Sequence, residues 1–483
     1  MGGFIPPSLH IPPRTTDAED KPVSPSGRLF LQPSMDTIIH AVIGLEHEVD
    51  VETIKATAED VFLSKQPLFS CLLVRKRTRE YWQKTQVDID RHFIIVDPTG
   101  QPEETDKAVN DYIANLSVSK PLSLDKPLWE AHVMPRHRCV VLRVHHSLGD
   151  GISLMASLMT QCRRRRDQLP ATFPSPVMQT KAPLKSGLLQ RLFISLKYML
   201  LSMLFCFEFL MRSLWLRDDR SAISGGEGVE YLPRKLATAK FVLNDMKLVK
   251  NAIERATIND VLVAVISAGL AKYLAKRGDK SSNLCSCNYN NLLTHMQKLI
   301  GLEKGVRMTG VAMVNLRGLQ GPSAMSTASS VNKFGVVLLP VNCYKSAANP
   351  LDVVKSAKSM NDAKKRSFEP RFSYSIGNLA MSLLGPKFAF KTYYKLICNT
   401  SFTLSNVMGP NEEITIWGNP IKFLRVSTTS LAHSLTMHML SYAGRAEMQI
   451  LVAEDIIPDP EFLAKCFEDS LREMKLAALS SLQ

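Results

Sequence analysis

The chain has 483 residues, of which 45% are hydrophobic and 22% are charged. This composition is typical of a globular protein and excludes a disordered chain, and the length allows two domains of ordinary size. The formal net charge of +14 indicates nucleic acid, an anionic membrane surface or a phosphate-bearing substrate as a partner. Nucleic acid is not favoured, because the sequence contains no helix-turn-helix, zinc finger or aromatic-interleaved basic sheet.

The nine cysteines are scattered and show no paired spacing. Cys285 and Cys287 are too close for the usual metal-binding pair and have no second pair. The odd number and the scatter favour reduced thiols in a cytosol-facing protein. They predict neither a metal site nor a redox role.

Residues 1–21 begin with a proline-rich stretch without the long apolar core of a signal peptide, and we interpret them as a flexible leader. Residues 22–169 alternate strand and helix patterns, which is typical of an α/β or α+β lobe. The predicted strands of this lobe are 38–44, 69–74, 93–96 and 128–133, and the predicted helices are 51–63 and 108–116.

The most informative stretch of this lobe is Cys139-Val-Val-Leu-Arg-Val-His-His-Ser-Leu-Gly-Asp-Gly151. The apolar run predicts a strand that pairs with the strand at 128–133. Residues from 152 onward predict a helix. Side chains alternate along a strand, so His146 shares a face with Val140, Leu142 and Val144. His146 is therefore the histidine expected to point at apolar surroundings.

A bare histidine pair is more often a core or surface feature than a catalytic one. The full pattern is narrower, because Asp150 and Gly151 follow at fixed spacing. A neutral imidazole can accept a proton near pH 7 and later return it. Asp150 can fix the loop through a salt bridge, and Gly151 allows a tight turn. The pattern therefore predicts a catalytic site.

Residues 170–235 are predicted to link two lobes and to contain one long apolar helix, 188–216. Before this linker, the four arginines at 163–166 indicate either a solvated face or a contact with acidic lipid headgroups. The apolar helix is long enough to span a bilayer, but Arg191, Lys197, Glu208 and Arg212 interrupt it. These charges fall within roughly a third of the circumference. An amphipathic helix in the membrane surface is favoured over a span, and a helix docked on the protein remains the third alternative.

Residues 236–483 are predicted to form a second lobe. Asn259 and Asp260 open its first predicted helix, which ends near Gly278, and such residues at a helix start are usually caps. The segment 335–339 reads as a buried strand that Pro340 stops. The other predicted elements are strands 311–317, 402–407, 435–442 and 446–452, and helices 350–365 and 460–479.

Six short motifs occur in a fixed order along the chain. They are Pro127-Leu-Trp-Glu130, His145-His-Ser-Leu-Gly-Asp-Gly151, Asn259-Asp260, Val314-Asn-Leu-Arg317, Asn332-Lys-Phe-Gly335 and Ser405-Asn-Val-Met-Gly-Pro410. On these motifs the chain resembles the plant branch of the wax ester synthase/diacylglycerol acyltransferase family. One departure is Ser330-Val331, where the family pattern has Trp-Gly.

The resemblance implies an α/β (α+β) fold of two lobes, like that of chloramphenicol acetyltransferase and other CoA-dependent acyltransferases, with the active site between the lobes. It implies acyl transfer to a hydroxyl, with His146 as general base and His145 in support. Asp150 is interpreted as structural, with Arg317 as a possible partner, and Gly151 as the turn residue. Asn259 is the candidate oxyanion donor, with Asp260 holding the start of its helix.

The implied partners are acyl-CoA as co-substrate, a long-chain fatty alcohol or diacylglycerol as acceptor, and a membrane surface. No permanently bound cofactor, metal ion or nucleic acid is expected. The implied location is the endoplasmic reticulum membrane, with the plasma membrane as a second site and the catalytic part facing the cytosol. The alternative is a non-catalytic lipid-binding or membrane-adaptor protein on an acyltransferase scaffold.

Overall fold

The computed structural model describes residues 20–63, 66–77, 79–97, 105–119, 121–171, 188–278, 306–316, 332–343 and 349–481. Several sequence predictions lie outside these ranges. They concern most of the leader, most of the proline-rich linker before the apolar helix, the pair Cys285 and Cys287, Arg317, and the departure at Ser330-Val331.

The described residues form strands and helices throughout both halves of the chain. The strands are β1 (Lys21–Pro22), β2 (Ile38–Leu45), β3 (Cys71–Lys76), β4 (Arg79–Lys84), β5 (Phe93–Ile95), β6 (Trp129–Met134), β7 (Cys139–His145), β8 (Arg163–Arg164), β9 (Arg234–Val242), β10 (Val306–Asn315), β11 (Phe334–Cys343), β12 (Phe402–Met408), β13 (Ile414–Ile416), β14 (Asn419–Thr428), β15 (Leu435–Tyr442) and β16 (Arg445–Ala453). The helices are α1 (Pro25–Phe30), α2 (Val51–Thr57), α3 (Thr105–Ser117), α4 (Gly151–Met159), α5 (Leu188–Leu214), α6 (Leu243–Asn251), α7 (Ile258–Lys276), α8 (Pro350–Lys365), α9 (Glu369–Leu383), α10 (Gly385–Cys398) and α11 (Pro460–Ser480).

The N-terminal lobe is built on a seven-stranded sheet of order β5-β6-β7-β2-β14-β13-β8. The predicted pairing of the strand at 128–133 with the strand before the histidines is confirmed, because β6 runs antiparallel to β7. Strands β13 and β14 come from residues 414–428, so the C-terminal part of the chain completes this sheet. The sheet therefore ties the two halves of the chain together beside the histidine motif.

Strand β7 lies between β6 and β2 near the middle of this sheet. Six of its seven residues are buried, since both of its faces are covered, and this explains its nearly continuous run of valine and leucine. A three-stranded sheet of order β1-β4-β3 accompanies the lobe. Lys21, the last residue of the predicted leader, and Pro22, the first of the predicted lobe, pair with β4 in that sheet.

The C-terminal lobe contains a six-stranded sheet of order β11-β10-β12-β15-β16-β9. Helices α7 and α11 pack together with this sheet in the largest hydrophobic cluster of the described residues. Helix α7 is apolar around most of its circumference because neighbouring elements surround it.

Most predicted elements are confirmed, and α8 begins and ends at the predicted residues with Asn349 as its N-cap. The prediction that Pro340 stops a strand is wrong, because β11 continues to Cys343. Strand β11 lies at the edge of its sheet, where a residue without an N–H is tolerated. Strand β9 begins inside the stretch predicted as linker, and helices α9 and α10 were not predicted.

Candidate active site

The two histidines lie at the end of β7, where the chain enters a short loop before α4. The backbone of His146 is held on both sides. Its N–H donates to the Thr37 carbonyl at 2.8 Å, and its carbonyl accepts from Nδ2 of Asn332 at 2.7 Å. The motif is therefore fixed by one residue from before β2 and by another from the segment before β11.

The side chain of His145 is buried and hydrogen-bonded at both ring nitrogens. Its Nδ1 accepts from the backbone N–H of Ser147 at 3.1 Å, and Ser147 Oγ lies 2.5 Å from the same nitrogen. Because Nδ1 is an acceptor, Nε2 carries the proton and donates to Oδ1 of Asp36 at 2.8 Å. His145 is thus engaged in holding the loop, and its supporting role in catalysis stays a prediction.

The side chain of His146 has an apolar environment. Its ring stacks on Phe30 with centroids 4.0 Å apart, and Phe334 lies 6.3 Å away. No group among the described residues hydrogen-bonds its Nδ1. Burial lowers the pKa of His146 to about 4, His145 acts in the same direction, and the carbonyl of His146 itself and Asn332 oppose the shift. The imidazole is therefore neutral at pH 7 and able to accept a proton.

Asp150 is the N-cap of α4. Its carboxylate accepts from the backbone N–H of Ser153 at 3.0 Å, and the Ser153 hydroxyl in turn lies 2.9 Å from the Asp150 backbone nitrogen. This reciprocal pair satisfies donors that the first turn of a helix leaves open. Asp150 therefore fixes the loop by capping, and its predicted partner Arg317 lies outside the described residues.

Gly151 is the first residue of α4, and its φ is not in the left-handed region. The structure gives a reason for glycine that differs from the predicted tight turn. A Cβ at this position would lie 3.3 Å from Cγ2 of Val407 on β12, which is closer than ordinary van der Waals contact. The small residue permits a close approach between α4 and a strand of the C-terminal lobe.

Asn259 lies in the first turn of α7, where its Oδ1 accepts from Nδ2 of Asn406 at 2.7 Å. Asp260 is fully buried and accepts from the backbone N–H of Thr257 at 2.7 Å and from Nδ2 of Asn361 at 2.7 Å. The start of α7 is therefore held in place as predicted. Among the described residues no hydrogen bond joins Asn259 to His146, so its role as oxyanion donor stays a prediction.

Four residues near His146 were not assigned a role from the sequence, namely Phe30, Asp36, Asn332 and His438. His438 lies on β15, is buried, and has no hydrogen-bond partner for Nδ1 among the described residues. Burial lowers the pKa of His438 to about 4, and the nearby imidazole of His146 acts in the same direction. The sequence signal was present only for Asn332, which stands in one of the quoted family motifs.

An apolar cavity of about 90 Å³ lies beside the motif, between α4 and the sheet of the N-terminal lobe. Leu142 and Val144 of β7 line it, and so does Gly151. Val407 and Leu440 reach it from the C-terminal lobe. The cavity therefore lies on the face of β7 that the alternation of the sequence predicted to be apolar. Within the described residues no group of three His, Cys, Asp or Glu side chains could hold a metal ion.

Comparisons with known proteins match this arrangement to one family. Residues 51–262 match the wax ester synthase/diacylglycerol acyltransferase catalytic domain, and residues 331–475 match the WS/DGAT C-terminal domain. Wax ester synthase/diacylglycerol acyltransferase 11 of Arabidopsis thaliana is 30% identical over 95% of this chain and 96% of its own length. Wax ester synthase/diacylglycerol acyltransferase 2 of the same plant is 31% identical over 97% and 98%.

Solved structures show the same fold at low sequence identity. The wax ester synthase/diacylglycerol acyltransferase from Marinobacter aquaeolei VT8 has a TM-score of 0.56 at 16% identity, covering 95% of this chain and 100% of that chain. Trichothecene 15-O-acetyltransferase from Fusarium sporotrichioides has a TM-score of 0.56 at 10% identity, covering 95% of both chains. The predicted two-lobed acyltransferase fold is therefore confirmed. The chain belongs to the wax ester synthase/diacylglycerol acyltransferase family.

Proposed function

We propose that this acyltransferase moves a fatty acyl group from acyl-CoA to the hydroxyl of a long-chain fatty alcohol, with diacylglycerol as a second acceptor. The first reaction forms a wax ester and the second forms triacylglycerol. The observation that carries the proposal is the environment of His146, a buried imidazole kept neutral at pH 7. The names of the relatives support both acceptors.

The proposed chemistry needs one base that later acts as an acid. The imidazole of His146 takes the proton of the alcohol while the alcohol oxygen attacks the thioester carbonyl carbon. The tetrahedral intermediate then expels the CoA thiolate, which receives the same proton from the imidazolium. Proton transfer by a positioned side chain contributes about 10²–10⁴-fold to such a step.

The neighbouring residues have supporting roles in this proposal. The hydrogen bonds of His145 to Asp36 and Ser147 set the path of the loop, so His145 is a positioning residue and not a second base. Asp150 caps α4, and Gly151 keeps that helix close to β12. Asn259 remains the candidate donor to the oxyanion, because the first turn of a helix offers donors where negative charge develops.

Acyl-CoA is the proposed co-substrate. The starter condensation domain of rhizomide synthetase RzmA in complex with C8-CoA and Leu-SNAC has this fold, with a TM-score of 0.51 at 12% identity over 96% of this chain and 95% of that chain. The apolar cavity beside Val144 has a lining suited to an alkyl chain. No permanently bound cofactor is part of the proposal.

A membrane surface is the proposed partner, because both acceptors are lipids that dissolve in a bilayer. In the part of the chain that the structure describes, two helices are long and apolar enough to cross a membrane, Leu192–Leu214 and Ile258–Lys276. The second is mostly buried in the core of the C-terminal lobe, which leaves α5 as the candidate for membrane contact. The endoplasmic reticulum, with the catalytic part facing the cytosol, is the proposed compartment.

The test is incubation of the purified protein with labelled acyl-CoA and, separately, hexadecanol and diacylglycerol. Labelled wax ester, triacylglycerol or both are expected from the wild-type protein, and neither product from His146→Ala. Absence of both products from the wild-type protein would favour the alternative of a non-catalytic adaptor protein. No feature of the site supports that alternative. Ester formed equally well by His146→Ala would exclude His146 as the base.

A further inference from the structure

The C-terminal half of helix α5 has its polar side chains against the protein. Glu208, Arg212 and Ser202 are buried there. The opposite side of the helix consists of large apolar side chains that are exposed. They are Leu189, Leu192, Phe193, Leu196, Met199, Leu200, Met203, Phe207 and Leu214, followed by Trp215 after the helix end.

Buried ion pairs hold the C-terminal half of α5 on the protein. Arg212 donates to Glu208 at 3.0 Å and to Asp218 at 2.8 Å, and all three side chains are nearly inaccessible. Asp218 also accepts from the backbone N–H of Thr309 at 2.6 Å on β10. Removing one partner from such a buried set leaves an unpaired charge, which is strongly destabilising. The helix therefore cannot leave the protein to cross a bilayer without breaking this network.

The middle of α5, from Tyr198 to Phe205, is also attached to neighbouring elements. Ser202 Oγ accepts from the backbone N–H of Phe368 at 3.2 Å. The ammonium group of Lys364 lies 3.8 Å from the centre of the Phe205 ring. Tyr198 is hydrogen-bonded to Arg366. These contacts place α5 alongside the segment that leads into α9.

Helices α9 and α10 pack against α5 and continue its exposed apolar surface. We call this combined surface the apolar platform. Besides the exposed side chains of α5 it includes Phe368, Leu379, Leu383, Leu384 and Phe388. An exposed apolar surface built from three helices is unusual for a soluble monomer and indicates a binding surface.

The charges of the apolar platform are of one sign. In α5 and in residues 366–398 the acidic residues are Glu208 and Glu369, and both are buried. The exposed charged side chains of these segments whose positions are described are all cations, namely Lys197, Arg366, Arg371, Lys387, Lys391 and Lys395. Apolar side chains accompanied by Lys and Arg, without exposed acids, are typical of a surface that binds anionic lipid.

The apolar platform is close to the catalytic histidine. The inner side of α10 contributes Phe390 and Tyr393 to a cluster that contains Phe30. Phe30 is the residue on which His146 stacks. A single layer of aromatic side chains therefore separates the platform helix α10 from His146.

We propose that the apolar platform docks on an anionic bilayer surface with α5 lying in the membrane plane, and that this docking gives the active site access to an acceptor dissolved in the lipid. The inference rests on the proposed acyl transfer to a lipid alcohol. It differs from a spanning helix, because Glu208 and Arg212 of α5 stay buried in the ion-pair network with Asp218.

The test uses a double variant of the full-length protein, Phe193→Glu with Leu383→Glu, which alters two exposed side chains on different platform helices. The matched control is Ile95→Glu with Leu124→Glu, since those residues are exposed to a similar degree in the N-terminal lobe. Binding is measured by flotation with vesicles of phosphatidylcholine and phosphatidylserine. We expect at least about tenfold weaker binding for the platform variant and wild-type binding for the control.

Turnover separates docking from chemistry. With hexadecanol dissolved in the vesicles, the platform variant should lose activity in parallel with binding, whereas with hexanol in free solution it should match the wild-type protein. Wild-type vesicle binding by the platform variant, or an equal loss by the control variant, would overturn the docking proposal. Platform-dependent binding without turnover of either alcohol by the wild-type protein would overturn the proposed reaction and leave the docking intact.

Protease protection measures whether α5 lies in the membrane plane or crosses the bilayer. Protease is added to intact microsomes that carry the protein with tags at both chain ends, which flank α5 in the sequence. Cleavage of both tags is expected for a helix in the membrane plane. Protection of one tag and cleavage of the other would mean that α5 crosses the bilayer and would overturn the proposal.

Discussion

His145 and His146 are adjacent in the chain, yet their environments are opposite. Both ring nitrogens of His145 are occupied by Asp36 and Ser147. The ring of His146 lies between aromatic side chains, and burial lowers its pKa to about 4. A histidine whose nitrogens are both engaged in the fold cannot readily exchange a proton with a substrate. The difference supports our proposal that His145 holds the loop and that His146 is the base.

The largest effect is expected from replacing His146, the side chain that we propose as the base. His146→Ala should lower kcat by about 10²–10⁴-fold, because no other imidazole of the motif is free to take the proton. Its thermal unfolding should remain cooperative and close to that of the wild-type protein, which circular dichroism can measure. A kcat within a few fold of wild type would remove the distinction between the two histidines.

Asn332 sharpens the comparison, because it holds the carbonyl of His146 from 186 residues away in the sequence. Losing this hydrogen bond should lower kcat by about tenfold with little change in KM. Asn332 has a φ of 60°, so Asn332→Gly serves as a matched control for backbone strain. Asn332→Ala should be about 1 kcal/mol less stable than Asn332→Gly at equal activity. Activity restored by glycine would mean that backbone conformation, and not the hydrogen bond, matters.

The supporting histidine should tolerate change better than its neighbour. Asp36→Asn keeps the shape of the group that accepts from His145 and removes its charge. Because Asp36 is partly exposed, with 28% of its side chain accessible, we expect roughly a threefold loss of kcat. His145→Ala should cost more than Asp36→Asn but far less than His146→Ala. If the two changes act through one interaction, the double variant should be no worse than His145→Ala alone.

The smallest effect is expected in the pH dependence of activity, where no titration of His146 should appear between pH 8 and pH 6. The folded pKa of His146 is below its ordinary value, so the imidazole stays neutral as the pH falls through 6.5 and gains a proton only near about 4. A profile of kcat/KM against pH should therefore be level between pH 8 and pH 6, with protein stability followed at each point. A loss of activity centred near pH 6.5 would indicate a base with an ordinary pKa.

The lowered pKa of His146 also makes the stability of the protein depend on pH. Between about pH 4 and 6.5 the unfolded chain binds a proton at this histidine and the folded protein does not. His438 behaves in the same way, since burial also lowers its pKa to about 4. The free energy of unfolding should therefore fall as the pH is lowered through this window. Denaturant titrations at pH 7 and pH 5 would measure the difference.

The local part of the site could be predicted from the sequence. A valine-rich run gives β7, its alternation places His146 on the apolar side, and the spacing to Asp150 marks the start of α4. These features depend on neighbours within a few residues. The spacing of apolar residues and the identity of the helix-capping residue were therefore enough to predict them, as they were for α8.

The remainder of the site is made by contacts between distant parts of the chain. Asp36 meets His145 from 109 residues away, and His438 faces His146 from the other lobe. No local pattern encodes such pairs. The same reason explains the orientation of the C-terminal half of α5. Its buried Arg212 faces the protein because it pairs with Asp218, which lies outside the helix. Periodicity gives the two faces of a helix, and tertiary partners decide which one is buried.

The most direct measurement compares the two histidines in a single turnover. Wild-type protein, His145→Ala and His146→Ala are each mixed in excess over labelled acyl-CoA with saturating hexadecanol, and the wax ester is quantified over time. The ester should form with His145→Ala at a rate within about tenfold of wild type, and its formation with His146→Ala should be slower by about 10²-fold or more. Ester formation at equal rates in the two variants would contradict the assignment of His146 as the base.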